Sequence, residues 1–440
     1  MNPTRILLVG SGAREHSLAV AIKRSPQAPV LLVYASSMNP GIAALADAYA
    51  IGRITDPDAV VSWAREQQAA MALIGPEAPL ESGVSDALWK AGIPVVGPKK
   101  DMARLETSKS FTRNLLTRHE VGACPRYKTF DSLDGVASFL AELGENYVVK
   151  ANGLMGGKGV KVSGDHLHHH DEAIAYCGEL IEAGGEVVIE EKLIGVEFSL
   201  ISLCGGKTLL HFPAVQDHKR AFDGDKGPNT GGMGTYTDAD FSLPFLEVSD
   251  IEQARELNQK VAQALFREMG EAYKGVLYGG FMATREGVMI VEYNARFGDP
   301  ECLNLMTLLE GDMVELLQAT IDDRLDAVKA PFKALASVCK YAVPRGYPDQ
   351  AEKGFPIDVS AVEGAALYLG SVDERDGKLI ATGSRTAAVV GLGVNLAQAE
   401  AAAEAAICQI RGPLFHRSDI GTLPLLRQRV DTMKQLRRNS

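Results

Sequence analysis

The sequence predicts a mixed chain, one doubly wound α/β unit followed by two α+β units, and three observations carry that reading. The first hundred residues alternate short apolar runs with helical patterns, the sign of a parallel sheet wrapped by helices. After Lys100 the pattern shifts to short strands with few helices between them. A third, smaller set of strands and one helix follows a connector at Arg324–Leu335.

In the first unit, Arg5–Gly10 (RILLVG), Pro29–Ala35, Met71–Gly75 (MALIG) and Ile93–Gly97 read as buried strands, because each is a short, continuous apolar run. Glu15–Ser25 and Val84–Ala91 read as helices. In the second unit, Ser108–His119, Asp171–Glu182 and Ile251–Glu271 read as helices. Tyr147–Ala151, Gly159–Ser163, Val187–Leu193 and Phe198–Cys204 read as strands there, and Gly275–Thr284 with Gly287–Asn294 as an antiparallel pair turning at Arg285–Glu286. Gly311–Leu317 reads as a helix. In the third unit, Ser337–Val343, Ala365–Gly370, Lys378–Gly383 and Thr386–Gly391 read as strands and Leu396–Gln409 as a helix. The expected domains are 1–104, 105–325, with a mobile glycine-loop subdomain at about 125–195, and 326–440.

Composition narrows the class. The chain has 440 residues, 46% hydrophobic and 23% charged, with a formal net charge of −11. That is ordinary for a soluble globular protein and gives no basic field for nucleic acid or an anionic membrane surface. No apolar stretch approaches the roughly 20 residues of a membrane span. The six cysteines are scattered, without CxxC or Cys/His zinc spacing, as in a reduced, cytoplasmic protein. The run His166–Asp171 (HLHHHD) could bind metal, but reads better as a solvated turn between a strand and a helix.

Six motifs carry chemistry. Gly10-Ser-Gly-Ala-Arg-Glu-His16 is a glycine turn between a strand and a helix, where backbone N–H groups can face an anion. Glu15 occupies the third glycine position of a dinucleotide fingerprint, and no acid follows near Tyr34, so a phosphate monoester suits the turn better than a nicotinamide cofactor. Glu77 in Gly75-Pro-Glu-Ala-Pro-Leu80 sits at a strand's carboxyl end, a place for ribose hydroxyls. Lys150 ends a strand before a glycine-rich loop containing Lys158. This is no P-loop, yet it can close over phosphates. Ile189-Glu-Glu-Lys-Leu193 with Glu197 is a weaker signal. Gln216-Asp-His-Lys-Arg220, continuing to Gly227-Pro-Asn-Thr-Gly-Gly-Met-Gly234, puts cations beside a second glycine-rich loop. Last, in Glu292-Tyr-Asn-Ala-Arg-Phe-Gly-Asp-Pro-Glu301, Glu292 and Asn294 share one face of a strand and offer hard oxygen donors for Mg²⁺. Arg296 adds a planar fork for a phosphoryl group, and Asp299 follows in the loop. With no Ser/His/Asp set, cysteine nucleophile or zinc set in view, phosphoryl transfer by positioning and charge is the chemistry left.

At these residues the chain resembles the glycinamide ribonucleotide synthetase (phosphoribosylamine–glycine ligase) family of the ATP-grasp superfamily. GSGAREH, GPEAPL, QDHKR, GPNTGGMG and RFGDPE look like its signatures, in order along nearly the whole chain. The resemblance implies an ATP-grasp enzyme with an N-terminal doubly wound domain, a central ATP-grasp region and a small C-terminal α+β domain. It implies ATP-dependent joining of glycine to 5-phosphoribosylamine through glycyl phosphate, an early step of purine synthesis. It implies Lys109, Lys150 and Lys158 on ATP phosphates, and Glu190, Leu193 and Glu197 on adenine and ribose. Glu292 and Asn294 become ligands of Mg²⁺ or Mn²⁺, Arg296 the stabiliser of the acyl phosphate, and Asp299 the group orienting the amine. Gly10, Gly12, Glu15 and Glu77 would hold the phosphoribosyl group, with Arg385 adding charge to its phosphate. The partners implied are small molecules alone, with a monomer or simple homo-oligomer as the assembly. Asn152, Gly280 and the run Cys302-Leu-Asn304 depart from common family residues, and some relatives carry at position 280 a glutamine that is a candidate extra metal ligand. The alternatives are another ATP-grasp carboxylate–amine ligase and a non-catalytic nucleotide sensor.

Overall fold

The computed structural model describes residues 3–154 and 159–438. Its first layer is a five-stranded parallel sheet in the order Ala48–Ile51, Val30–Ala35, Arg5–Val9, Met71–Ile74, Val95–Val96. Apolar runs such as RILLV suit it because both faces are covered. Successive side chains point to opposite sides: Ile6 and Leu8 enter the main core, whereas Leu7 and Val9 pack with Val60, Ala64 and Leu88 in a second one. The strand order changes direction beside Arg5–Val9, so the crevice between the carboxyl ends of Arg5–Val9 and Met71–Ile74 is the natural ligand position.

Between Ala35 and Met71 the structure adds the strand Ala48–Ile51 and the helix Pro57–Glu66 to the elements expected from the sequence. The helix starts at Asp56, whose side chain accepts from the N–H groups of Asp58 and Ala59, with Pro57 at the first position.

A small antiparallel sheet follows, ordered Tyr127–Phe130, Val187–Glu191, Tyr147–Ala151, Val160–Val162. The helices Val136–Leu143 and His170–Glu182 cover it, and Phe139, Leu140, Val149, Cys177 and Ile189 form a core separate from the rest. The histidines of HLHHHD serve this unit: His166 Nδ1 accepts from the Val162 N–H at 3.2 Å and His170 Nε2 lies 2.8 Å from the Gly144 carbonyl. Residues 192–195 lead from this unit to the central sheet, ordered Leu209–His211, Val196–Cys204, Gly275–Ala283, Val288–Asn294. The long helix, expected at Ile251–Glu271, spans Val248–Met269 and buries its apolar stripe against that sheet.

The second glycine-rich stretch is ordered as paired strands rather than a loop. Arg220–Phe222 pairs with Lys226–Asn229, and Gln216–Asp217 with Gly234–Thr237. Gly234–Thr237 then pairs with Ala336–Pro344, so one ladder crosses from the central to the C-terminal part of the chain. Among the described residues, no helix is long and apolar enough to cross a membrane.

The C-terminal helix Leu396–Ile407 lies unusually close to its strand. A Cβ at Gly391 would stand 2.3 Å from the Ala399 carbonyl oxygen and 2.4 Å from the Ala403 nitrogen, both rigid backbone. Gly391→Ala must lift the helix, with an expected cost of about 1–3 kcal/mol or more. A thermal unfolding midpoint equal to the parent's would contradict this close approach.

Candidate active site

The site grows from the end of the strand Val288–Asn294. A bulge beside Gly280 and Phe281 leaves Val291 without a partner residue, and Glu292 stands opposite Gly280. Tyr293 turns inward and its hydroxyl donates to Asn258 Oδ1 at 3.0 Å. Glu292 and Asn294 turn to the other face, as their alternation requires. There Lys219 Nζ lies 3.7 Å from Glu292 and 3.1 Å from Glu197. Burial pushes the Glu292 carboxyl up, but Lys219, Lys150 and Lys109 outweigh it and hold the group below its ordinary value. Burial, with Lys150 beside it, lowers the Lys109 ammonium despite Glu292. The cluster is a field of converging cations around one carboxylate, the pattern of a site for phosphates and their counter-ion.

A divalent cation fits here. Neither the Glu292 carboxylate, paired at 3.7 Å with Lys219, nor the Asn294 amide has a hydrogen-bond partner among the described residues, so two hard oxygen donors are available on one face. Gly280 contributes no side-chain ligand.

Behind the lysines lies a buried pair. Arg113, 2% exposed, donates to both oxygens of Glu190, from Nε at 2.7 Å and Nη2 at 2.9 Å. Its remaining donors meet the carbonyls of Ile290, at 3.2 Å, and Val291, at 2.7 Å. Lys150 Nζ completes the group at 2.7 Å from Glu190. The carboxylate expected at adenine and ribose is therefore not presented to a ligand. Burial would raise it, but Arg113 and Lys150 pull it down to about 2. Glu190 thus holds Lys150. The side chains still placed for a nucleoside are Leu193, half-buried in the loop after this strand, and Glu197, exposed on the next.

The segment after Asn294 meets the N-terminal unit. Arg296 leaves the strand face and lies between two carboxylates, Glu106 at 2.9 Å and Glu77 at 3.5 Å. Its Nε is buried without a hydrogen bond. Asp299 accepts from the Tyr341 hydroxyl at 2.6 Å and pairs with Arg385 at 3.2 Å. Arg385, expected on a substrate phosphate, spends its Nη1 on the carbonyls of Gly231, Gly232 and Asp299 and stacks over Tyr341. It fastens the hairpin, the Asp299 loop and the C-terminal sheet together.

The glycine turn at Gly10 also differs from expectation. Glu15 folds back, and its Oε2 accepts from the Gly12 N–H at 2.6 Å. The Gly10 N–H is taken by the Tyr34 carbonyl. Any Cβ at Gly10, Gly12 or Gly75 would strike the Glu15 side chain, at 2.8, 2.8 and 2.1 Å, so these glycines make room for a carboxylate rather than for a pyrophosphate. Arg14 binds Glu15 and reaches the Phe297 carbonyl, while His16 Nδ1 accepts from the Leu369 N–H at 2.9 Å. Burial lowers the His16 imidazole to about 4 and keeps it neutral, as that acceptor role requires. The motif is a junction of the three parts of the chain, and Glu77 and Asp299 stand at its open side.

Lys158 lies outside the described residues, and Lys109 Nζ donates to the Gly153 carbonyl just before it, at 2.8 Å. The residues missed by motif reading are Arg113, Glu106, Lys219 and Tyr341. Arg113 leaves a trace in the sequence, a charge amid the apolar face of Phe111, Leu115 and Leu116. Lys219 sits inside QDHKR. Glu106 and Tyr341 leave none.

The depressed Glu190 carboxyl has a pH consequence. Its folded value, about 2 against an ordinary 4.5, favours the folded state wherever the group is ionised. That contribution is full above pH 4.5 and is lost as pH falls through about 2. Glu190→Gln leaves Arg113 buried without its charge partner, at an expected cost of about 3–5 kcal/mol near neutrality. Urea midpoints should converge for parent and variant as acid removes this contribution from the parent. Parallel acid profiles would count against the pair.

The chain resembles known proteins along its length. The chain matches the N domain of phosphoribosylglycinamide synthetase over residues 4–106, its ATP-grasp domain over 107–302 and its C domain over 337–423. It is 48% identical to phosphoribosylamine–glycine ligase of Methanosarcina acetivorans, covering 98% of both chains, and 47% identical to that of Methanosarcina barkeri, covering 98% of this chain and all of that one. The crystal structure of the Thermotoga maritima phosphoribosylamine–glycine ligase superposes with a TM-score of 0.79 at 28% identity, over 94% of this chain and 100% of that one. A biotin carboxylase domain from Hydrogenobacter thermophilus, solved with MgADP, shares the fold at a TM-score of 0.71 and 17% identity, over 98% of this chain and 94% of that one. With its three domains in order and these identities along its length, the chain belongs to the phosphoribosylglycinamide synthetase family, an ATP-grasp family.

Proposed function

We propose that this chain joins glycine to 5-phosphoribosylamine, converting ATP to ADP and phosphate and making glycinamide ribonucleotide for purine biosynthesis. The observation that carries the reading is the single run from Glu292 to Asp299. It starts among three phosphate-ready lysines and ends against the crevice of the parallel sheet, so a nucleotide and a second substrate meet along it.

The glycine carboxylate attacks the γ-phosphorus of ATP, the bond to the β,γ-bridging oxygen breaks and ADP leaves. A carboxylate is a poor acyl donor, and glycyl phosphate carries the leaving group it lacks. The amine nitrogen of phosphoribosylamine then attacks the acyl carbon, and phosphate departs. Lys109 and Lys150, with Lys158, hold the ATP phosphates, and Leu193 and Glu197 hold the nucleoside. Glu292 and Asn294 hold Mg²⁺ or Mn²⁺, which supplies positive charge to the phosphate oxygens. Arg296, whose Nε makes no hydrogen bond and only a 3.5 Å ion contact with Glu77, stabilises charge on the acyl phosphate. Asp299 orients the amine, fixed by Tyr341 and Arg385. Glu77, at the start of the helix Glu77–Glu81, takes ribose hydroxyls. Glu190, Glu15 and Arg385 position these groups rather than touch substrate, and the Gly10–Gly12 turn forms the crevice floor. Residues 1–104 serve phosphoribosylamine, 105–325 serve ATP, and 326–440 brace the two. The enzyme works in the cytoplasm on small molecules, as a monomer or simple homo-oligomer.

Release of ADP should need glycine and 5-phosphoribosylamine together, with glycinamide ribonucleotide identified by mass spectrometry. Turnover with either substrate alone would overturn the assignment. Glu292→Gln should lower kcat by about 10²–10³-fold, with weakened Mn²⁺ binding by electron paramagnetic resonance and an unchanged unfolding midpoint. Undiminished Mn²⁺ binding in that variant would remove Glu292 from the metal site.

A further inference from the structure

Glu404 and Cys408 are one helical turn apart, at the end of the helix Leu396–Ile407, and so share a face. His416 follows the strand Leu414–Phe415, which pairs with Val343 and Pro344 of the central C-terminal strand. The three donor atoms converge: His416 Nε2 lies 3.0 Å and Cys408 Sγ 3.6 Å from the same oxygen, Glu404 Oε1, and all three lie within 4.8 Å of one another. A tetrahedral zinc ion, with sulfur at about 2.3 Å and nitrogen or oxygen at about 2.0–2.2 Å, sets its ligand atoms roughly 3.3–3.7 Å apart. The two separations to Glu404 Oε1 are already near those values, and the third is within 4.8 Å.

The group is also supported from behind. Lys340, fully buried, donates to Glu404 Oε2 at 2.6 Å, to Glu400 at 2.8 Å and to the Ser418 carbonyl at 2.9 Å. This fixes the Glu404 carboxylate with Oε1 turned toward Cys408 and His416, as an outer hydrogen bond orients a metal-bound carboxylate. Charge favours a dication as well. Two carboxylates and one ammonium leave the cluster at −1, and a dication with loss of the thiol proton brings it to zero.

We propose that Glu404, Cys408 and His416 bind a borderline-soft divalent cation, Zn²⁺ by donor set, with water as the fourth ligand. The site pins the helix Leu396–Ile407 to the strand Leu414–Phe415 and has no side chain in common with the nucleotide site. Thiolate and imidazole exclude Mg²⁺, which takes oxygen ligands.

Co²⁺ is the probe. The chelator-treated full-length chain is titrated with Co²⁺ in excess Mg²⁺, which occupies the oxygen-ligand site. One equivalent should bring a thiolate-to-cobalt charge-transfer band and the strong visible bands of tetrahedral Co²⁺. Cys408→Ser, at an exposed position, should lose the charge-transfer band while keeping its ligase activity in Mg²⁺. His416→Gln should weaken Co²⁺ binding by about tenfold or more. Zn²⁺ should displace the Co²⁺ and raise the unfolding midpoint of the parent but not of Cys408→Ser. Absence of the charge-transfer band, or its survival in Cys408→Ser, overturns the proposal.

Discussion

The nucleotide end of this molecule depends on one guanidinium that does not reach solvent. A buried arginine is tolerable only if its charge and its donors are met. Arg113 achieves this by gathering Glu190 from the small antiparallel sheet and the carbonyls of Ile290 and Val291 from the strand that carries Glu292. The bulge matters here. With Val291 unpaired in the ladder, its carbonyl is free to turn toward Arg113 and Lys150. Three elements far apart in sequence are thereby fixed in relation to one ion pair. Lys150 takes its place from that pair, and Glu292 takes its low affinity for a proton from the lysines that result.

The second organising point is the helix Ala13–Lys23, buried at nine of its eleven residues. Its polar side chains are spent internally: Arg14 on Phe297, Glu15 on its own turn and His16 on Leu369. Those contacts set the N-terminal sheet against both other parts of the chain. The crevice at Gly10 and Gly75 consequently opens onto Arg296 and Asp299. Arg385 and Tyr341 then hold Asp299 from the C-terminal side. The placement of Asp299 therefore draws on all three parts at once.

These two points also mark what the sequence could express. Strands such as RILLV and MALI were legible because their apolar runs are long enough to fill a parallel sheet. The motif segment Glu292–Glu301 was legible because so many polar and conformationally special residues directly follow an apolar strand. The helix Glu301–Leu308 was not, because all of its eight residues are buried and no amphipathic period survives. The packing of Glu15 was hidden for a related reason. A glycine turn before a helix suggests an anion guest, and only the fold shows that Glu15 itself fills the space the glycines leave. The pairings of Glu190 and Arg385 were hidden in the same manner: a charged residue near a ligand motif can be spent on neighbours from another part of the chain, and sequence spacing does not record long-range pairing.

The placement of these charges bears on which contacts at the site can exchange. The small sheet has its own apolar core, so it need not borrow one from the rest of the chain. At the site, what joins it to the centre is polar: Glu190 on Arg113, Lys150 on Val291, and the Gly153 carbonyl on Lys109. Of these, Arg113 and Glu190 are sealed and satisfied, whereas Lys109 and Lys150 each hold a carbonyl that a phosphate oxygen can replace with a stronger, charge-assisted bond. These outer contacts can exchange while the buried pair stays intact.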